Sequence, residues 1–256
     1  MGFLDRLAKS SPTLFELRSS YLYFTWRTKR RLATQYQLSM TGKFSHLHEH
    51  VMSSQVGCCP EAILKAMDSF GREDWMMTLG DAKGQYLQET VQKHRPKTVV
   101  EFGTYCGYST LCIAAVLPPG GHLISVDCDP RFLHVAQEIL AKAGLQERVT
   151  FVRCHAENFR LPPVWSPVDL LFLDHTKTEY YSTLLKMEPY FREGTVVLAD
   201  DSGQYAAQLQ DFLGHTRGSG LYESMEHRTL FSNRDDLHDS LEYSVYLGER
   251  NRGKDG

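Results

Sequence analysis

The stretch VVEFGTYCGYST, residues 99–110, carries a short apolar run into an acidic residue, Glu101, and then turns through Gly103 and Gly107. A glycine turn that binds a dinucleotide has the spacing G-x-G-x-x-G, because its backbone must approach a pyrophosphate. Here the spacing is G-x-x-x-G and an acid precedes it. The turn therefore disfavours a pyrophosphate and suits a ligand with a cationic or amino group. A strand-to-helix turn that binds no ligand is the alternative.

Strand-like and helix-like apolar periods alternate on both sides of this turn. Five strands are predicted, KTVVEFG (97–103), HLISVDCD (122–129), RVTFVRC (148–154), VDLLFLDH (168–175) and GTVVLADD (194–201). Helices of about 10–15 residues are predicted between most of them, which indicates βαβ units. The fold class is therefore α/β, with a doubly wound and mostly parallel sheet. EHRTLFS (226–232) and EYSVYLG (242–248) are predicted to add an antiparallel C-terminal hairpin at the sheet edge.

The chain of 256 residues divides into three predicted parts: an N-terminal helical extension (1–45), a main domain (46–248) and a polar tail (249–256). Its net charge of −3 argues against a nucleic-acid binder, which usually has a basic excess. The six cysteines include no C-x-x-C pair, and no signal peptide is visible. We therefore expect reduced thiols and a cytoplasmic location.

Residues 14–31 of the N-terminal extension combine aromatic and basic side chains at helical spacing. A basic amphipathic helix of this kind can lie on an anionic membrane surface. The other interpretation is a helix that packs its aromatic face on the main domain or on a partner protein. No apolar run approaches the roughly 18–20 residues that span a bilayer.

Polar or acidic residues follow all five predicted strands. In doubly wound sheets, ligands bind beyond the carboxyl ends of the strands. The candidate segments are Glu101–Gly107, Asp127, His155–Asn158, Asp174–Lys177 and Asp200–Asp201.

Asp127 ends the second strand, 26 residues after Glu101. An acid at this place accepts hydrogen bonds from a ribose diol in dinucleotide folds. An acid for the ribose and a glycine turn without the phosphate fingerprint together indicate an adenosine cofactor that has no phosphates. We therefore predict S-adenosylmethionine.

Asp174, Asp200 and Asp201 end two further strands. Three carboxylates at close range need compensating positive charge, and Mg²⁺ prefers such oxygen ligands. Lys177 lies three residues beyond Asp174, within reach of a substrate oxygen held by that cation. The alternative is a set of helix caps with a surface lysine.

Four motifs in order, EFGTYCGYS, LISVDCDP, LFLDHTK and VVLADD, resemble those of the catechol O-methyltransferase family, as does DWMMTLGDAKGQ ahead of them. The resemblance extends from about residue 46 to residue 248. It implies a Rossmann-like domain, S-adenosylmethionine, Mg²⁺ and methyl transfer to one hydroxyl of a small-molecule catechol.

The same resemblance assigns roles to individual residues. It implies cofactor contacts from Leu79, Glu101, Gly103, Tyr105, Ser109, Asp127, Ala156, Glu157, Asp174 and His175. It implies metal ligation by Asp174, Asp200 and Asp201, a general base in Lys177, and substrate contacts from Trp75, Met77, Lys177 and Asp201.

The chain departs from the family pattern mainly on the acceptor side. Thr176 stands where the family has a tryptophan, and the family's substrate-binding glutamate falls near Ser232 or Asn233. Asp201 replaces an asparagine, Asp127 replaces a glutamate, and the loop after the metal pair is two residues longer. We expect an altered acceptor preference. The open alternatives are a methyltransferase for a non-catechol acceptor and a family fold that mainly binds a partner protein.

Overall fold

The computed structural model describes residues 35–53 and 55–248. Seven strands form one sheet: β1 Thr98–Phe102, β2 His122–Asp127, β3 Val149–Arg153, β4 Val168–Leu173, β5 Phe191–Ala199, β6 Tyr222–Phe231 and β7 Arg234–Tyr246. The seven α-helices of the described residues are α1 Gln35–Met52, α2 Pro60–Glu73, α3 Asp81–His94, α4 Tyr108–Val116, α5 Pro130–Lys142, α6 Tyr180–Met187 and α7 Gln210–Gly218. The sheet confirms the predicted α/β class.

The strand order is β3-β2-β1-β4-β5-β7-β6. Strands β1 to β5 are parallel, and β7 pairs antiparallel with both β5 and β6. The chain order reverses at β1, which has β2 on one side and β4 on the other. Such a switch point opens a crevice at the carboxyl ends of the strands. The candidate segments predicted from the sequence follow these strand ends.

The C-terminal hairpin confirms its prediction: β6 and β7 pair antiparallel at one edge of the sheet, with β7 next to β5 and β6 outermost. Both strands are longer than EHRTLFS and EYSVYLG suggest, and β7 carries buried polar residues. Glu242, for example, is completely buried, but Arg217 of α7 neutralises it at 2.7 Å. Helix α7 itself was not predicted.

The two glycines of the opening stretch have a packing reason for their backbone conformation. Gly103 has φ +99°, and a Cβ atom there would lie 2.3 Å from the carbonyl oxygen of Asp174. Gly107 has φ +80°, and its Cβ would lie 2.8 Å from that of Ala136 in α5. Both glycines therefore permit close approach between parts of the protein itself.

The N-terminal prediction falls largely outside the described residues. The chain divides into two compact units after Leu47, and residues 14–31 are not among those described. Within residues 35–53 and 55–248, no helix is both long and apolar enough to cross a membrane. The division at residue 45, the polar tail, the membrane-surface contact and the cytoplasmic location all stay predictions.

Candidate active site

Glu101 is completely buried near the carboxyl end of β1. Its Oε2 accepts hydrogen bonds from the hydroxyls of Ser125 (2.5 Å) and Thr110 (2.6 Å), whereas its Oε1 has no hydrogen-bond partner. Burial raises the pKa of Glu101 to about 7, and the hydroxyls of Ser109, Ser125 and Thr110 only partly oppose this. A buried carboxylate with one unsatisfied oxygen fits a cationic ligand group, because burial without compensation is costly.

The turn after β1 lies next to Glu101 at the crevice. Tyr105 adopts a left-handed backbone (φ 46°), and its ring contacts Phe132 edge to face. Ser109 is buried in the first turn of α4. Leu79 is buried in the loop ahead of α3. The roles of these residues in cofactor binding stay predictions.

Asp127 braces the same turn through its carboxylate. Oδ2 accepts from the backbone N–H groups of Thr104 (3.0 Å) and Tyr105 (3.1 Å), and Oδ1 accepts from that of Asp129 (2.9 Å). A carboxylate offers about four lone-pair sites, so these three bonds leave room for one further donor. The aspartate thus has a structural task in addition to the predicted ribose contact.

His175 lies between two aromatic rings after β4. Its ring stacks on Tyr180, with 5.1 Å between centroids, and its Nε2 lies 2.9 Å from the hydroxyl of Thr183. Burial lowers its pKa to about 3, so the imidazole is neutral at pH 7. Its Nδ1 is buried without a hydrogen-bond partner. Such a ring fits the predicted position flanking a cofactor.

Ala156 and Glu157 lie in the 3₁₀ turn Ala156–Asn158 that follows β3. Ala156 is buried and Glu157 is exposed. Lys186 of α6 anchors this turn by donating to the carbonyl oxygens of both residues. The turn lies on the β3–β2–β1 half of the strand ends, together with Asp127 and Glu101.

The other half, at the ends of β4 and β5, carries an acidic cluster. Asp174, Asp200 and Asp201 each contribute one carboxylate oxygen, and these three oxygens lie within 4.8 Å of one another. Asp201 has a left-handed backbone (φ 61°), a conformation that aspartate adopts more often than most residues other than glycine. Three hard oxygen donors at this spacing fit a divalent cation such as Mg²⁺.

Lys177 is part of this cluster. Its Nζ lies 2.8 Å from Asp174 Oδ1, 2.9 Å from Asp201 Oδ2 and 2.8 Å from the Tyr180 hydroxyl. Burial lowers the pKa of Lys177, but the nearby carboxylates outweigh burial and hold that pKa well above its usual value. Lys177 is therefore a cation in this arrangement.

The sequence interpretation missed a second lysine in the cluster. Lys83 of α3 is completely buried, and its Nζ lies 2.7 Å from Asp200 Oδ1, 2.9 Å from Asp201 Oδ1 and in hydrogen-bond contact with Asp239 Oδ2. Four carboxyl groups thus lie around two ammonium groups. Burial raises the pKa of Asp174, Asp200 and Asp239, and a divalent cation bound among them would favour their ionised forms.

Comparison with known proteins places this chain in a family. A model described as a methyltransferase domain matches residues 100–202. Catechol O-methyltransferase of Mus musculus is 33% identical over 211 residues, which cover 79% of this chain and 77% of that protein. The chain belongs to the catechol O-methyltransferase family. The predicted class, an S-adenosylmethionine-dependent O-methyltransferase, is thereby confirmed at the level of family and domain.

Two further comparisons concern the sequence and the fold. Transmembrane O-methyltransferase of Homo sapiens is 31% identical over 217 residues, 80% of this chain and 71% of that protein. The crystal structure of the O-methyltransferase TomG from Streptomyces achromogenes has a TM-score of 0.64 at 21% identity, covering 72% of this chain and 89% of that one. This second likeness concerns the fold.

Several aromatic rings lie among or near the residues that the resemblance to the catechol O-methyltransferase family assigns to the acceptor. Trp75 stacks on Phe231, with 6.3 Å between centroids. Met77 is exposed in the same segment as Trp75. Tyr205, which the sequence interpretation did not select, places its ring 5.8 Å from Lys177 Nζ. Its backbone N–H donates to the carbonyl of Asp201 at 3.0 Å, which fixes the start of the longer loop.

The positions that depart from the catechol O-methyltransferase pattern lie as follows. Thr176 is exposed ahead of the turn that carries Lys177. Ser232 and Asn233 form the two-residue turn between β6 and β7, and both have positive φ. The Ser232 hydroxyl donates to the carbonyl of Thr78 at 2.5 Å, and the Asn233 amide lies 3.4 Å from the Thr78 hydroxyl. This turn thus presents an amide and a hydroxyl near Thr78.

Proposed function

We propose that this protein transfers a methyl group from S-adenosylmethionine to one hydroxyl of a catechol or related vicinal diol, with Mg²⁺ as the metal. The observation that carries the proposal is the juxtaposition of Lys177 with Asp174, Asp200 and Asp201 at the strand ends beyond β4 and β5. The catechol O-methyltransferase relatives support the acceptor class.

The cofactor half of the site would use Glu101 for the cationic methionine end, with Asp127 for the ribose. The unsatisfied Oε1 of Glu101 supports the first assignment. Asp174, Asp200 and Asp201 would hold the metal. When bound, S-adenosylmethionine supplies an electrophilic methyl group on a sulfonium, and a divalent cation polarises the acceptor hydroxyl.

Lys177 would take the proton from the reacting hydroxyl. The carboxylates around it hold its pKa well above the usual value despite burial. A base function therefore requires that other positive charge compensate these carboxylates. Trp75 and Met77 would hold the acceptor ring, as predicted, and Tyr205 adds a further ring beside Lys177. Positioning of the two reactants and exclusion of water would then contribute much of the rate.

We propose that the preferred acceptor of this protein is not a simple catechol. Ser232 and Asn233 carry no charge, and Thr176 offers no aromatic surface. The retained carboxylate cluster and lysine favour an enzyme over a protein that only binds a partner.

The test is release of S-adenosylhomocysteine with a panel of vicinal diols, with and without Mg²⁺, by wild type, Lys177→Ala and Lys177→Arg. We expect both variants to lose at least about 100-fold in kcat, because general base catalysis contributes that much and arginine keeps its proton. Lys65→Ala, at an exposed position of α2, is the control and should retain activity.

Two outcomes would contradict the proposal. Absence of turnover on every diol, although calorimetry detects cofactor binding, would refute the acceptor class. Turnover that is independent of divalent cations would refute the metal assignment to the three aspartates.

A further inference from the structure

Lys83 is a completely buried lysine that the proposed reaction does not use. It is the third residue of α3, within the GDAKGQ segment, and its side chain reaches the strand ends from outside the sheet. A buried ammonium is costly unless carboxylates compensate it. Lys83 therefore has a specific partner set, and that set includes two of the proposed metal ligands.

The contacts of Lys83 are with three carboxylates. An ammonium group has three N–H donors. Lys83 Nζ donates to Asp201 Oδ1 at 2.9 Å and to Asp239 Oδ2, and it forms an ion pair with Asp200 Oδ1 at 2.7 Å. Three carboxylates thus surround the buried ammonium, so Lys83 acts through these residues.

Asp239 of β7 fixes the ammonium in this place. Its side chain is completely buried, and its Oδ1 accepts from the backbone N–H of Gln204 at 2.8 Å. Both of its oxygens are thus occupied by protein donors. The ring of Phe231 lies 5.4 Å from the same ammonium. The lysine is held on several sides.

The consequence concerns which carboxylate oxygens a cation can use. Lys83 holds the Oδ1 atom of both Asp200 and Asp201, so a cation that avoids these two ion pairs can use only the Oδ2 atom of each aspartate. The Oδ2 atom of Asp201 lies 2.9 Å from Lys177 Nζ, and a bound cation would share or replace that contact. Mg²⁺ and Mn²⁺ are satisfied by single carboxylate oxygens in an octahedron. Ca²⁺ takes six to eight oxygens and often binds a carboxylate through both.

We propose that Lys83 is a positioning residue that keeps Asp200 and Asp201 monodentate and thereby selects a small octahedral divalent cation over calcium. This inference rests on the proposed function, because it assumes that the cluster binds a divalent cation. The measured quantity is the ratio of the dissociation constants for Mg²⁺ and Ca²⁺, which reports on the geometry of the carboxylate ligands.

The experiment is calorimetric titration of the full chain with Mg²⁺ and with Ca²⁺, without cofactor or acceptor. Wild type should bind Mg²⁺ more tightly than Ca²⁺. Lys83→Gln removes a positive charge and should tighten both cations, but the ratio of the two dissociation constants should shift towards Ca²⁺ by about tenfold or more. Because both ions carry the same charge, the ratio separates ligand geometry from charge.

Asp239→Asn is the second variant, since it keeps the lysine and removes the charge of the one carboxylate that holds the ammonium without being a proposed metal ligand. It should shift the ratio in the same direction by a smaller factor. The proposal is overturned if wild type binds Ca²⁺ as tightly as Mg²⁺. This test uses the wild-type protein alone and does not depend on whether either variant folds. The proposal is also overturned if either folded variant keeps the wild-type ratio.

Failure of the proposed function would give a different result. If wild type binds neither cation, the metal assignment itself is refuted and the inference falls with it. If wild type prefers Mg²⁺ and the ratio is insensitive to both substitutions, only the role of Lys83 is refuted.

Discussion

Glu101 illustrates how one buried residue links the sequence to the cofactor. Its Oε2 is satisfied by two hydroxyls, and its Oε1 is buried without a partner. The acid is close to half ionised at neutral pH, because burial raises its pKa to about 7. A cationic ligand that contacts Oε1 would favour the ionised form.

A pH dependence of cofactor binding follows from this pKa. Below pH 7 the protonated acid has lost its negative charge, so affinity for S-adenosylmethionine should fall as the pH decreases. We expect binding about tenfold weaker at pH 6 than at pH 8, measured by calorimetry. Glu101→Gln is the matched control, because it removes the titrating carboxyl of residue 101 and leaves the titration of the ligand's own groups unchanged. Equal pH profiles for the two proteins would contradict the assignment.

The turn after β1 and the end of β4 are in close contact, and this contact joins the two halves of the candidate site. Gly103 allows the turn to approach Asp174, whose carboxylate belongs to the acidic cluster. The same residue thus connects the cofactor half of the site to the metal half. Asp127 reinforces the turn from β2 through backbone hydrogen bonds.

Gly103→Ala should destabilise the protein, because a Cβ atom would lie 2.3 Å from the Asp174 carbonyl and φ is +99°. We expect a loss of more than about 1 kcal/mol in the free energy of unfolding, measured by chemical denaturation. Gly214→Ala is the control in α7, where a Cβ atom meets nothing within 4 Å. It should be neutral, or stabilising by up to about 1 kcal/mol. Similar effects of the two substitutions would refute this account of the turn.

The whole molecule concentrates charge at one end of its sheet. Four buried or nearly buried carboxylates and two lysines, drawn from α3, from the ends of β4 and β5 and from β7, meet there. Carboxylates that are ionised so close together repel one another, and a cation bound among them would stabilise the folded chain. Metal binding and folding stability should therefore be linked.

Addition of Mg²⁺ should raise the unfolding temperature. At a free concentration of about 100 times the dissociation constant, the gain is about 2.7 kcal/mol, or roughly 5–10 °C for a domain of this size. Differential scanning calorimetry with Mg²⁺ or with a chelator measures it. Asp174→Asn should abolish most of the shift, and Asp211→Asn, at an exposed position of α7, should retain it. A full shift in Asp174→Asn would place Mg²⁺ elsewhere on the protein.

The local pattern of the chain was enough to predict the fold class and the strand ends. Apolar periodicity reports which face of an element is buried, and glycine and proline mark the turns, so each strand and most helices follow from short windows. The cofactor class, the acidic cluster and Lys177 follow from the rule that parallel strands end at one edge of the sheet. Helix α7 and the full length of β7 did not follow, because their polar residues find partners only across the fold, as Glu242 does with Arg217.

By itself, the sequence determined a doubly wound α/β protein with acidic strand ends, because these properties depend on residues close together in the chain. The tertiary structure alone decided that Lys83 meets Asp239, 156 positions away, and that both adjoin Asp200 and Asp201. It also decided which carboxylate oxygens are occupied by lysine. Such pairings depend on how α3 and β7 pack against the strand ends, and no local period encodes a contact between elements so far apart.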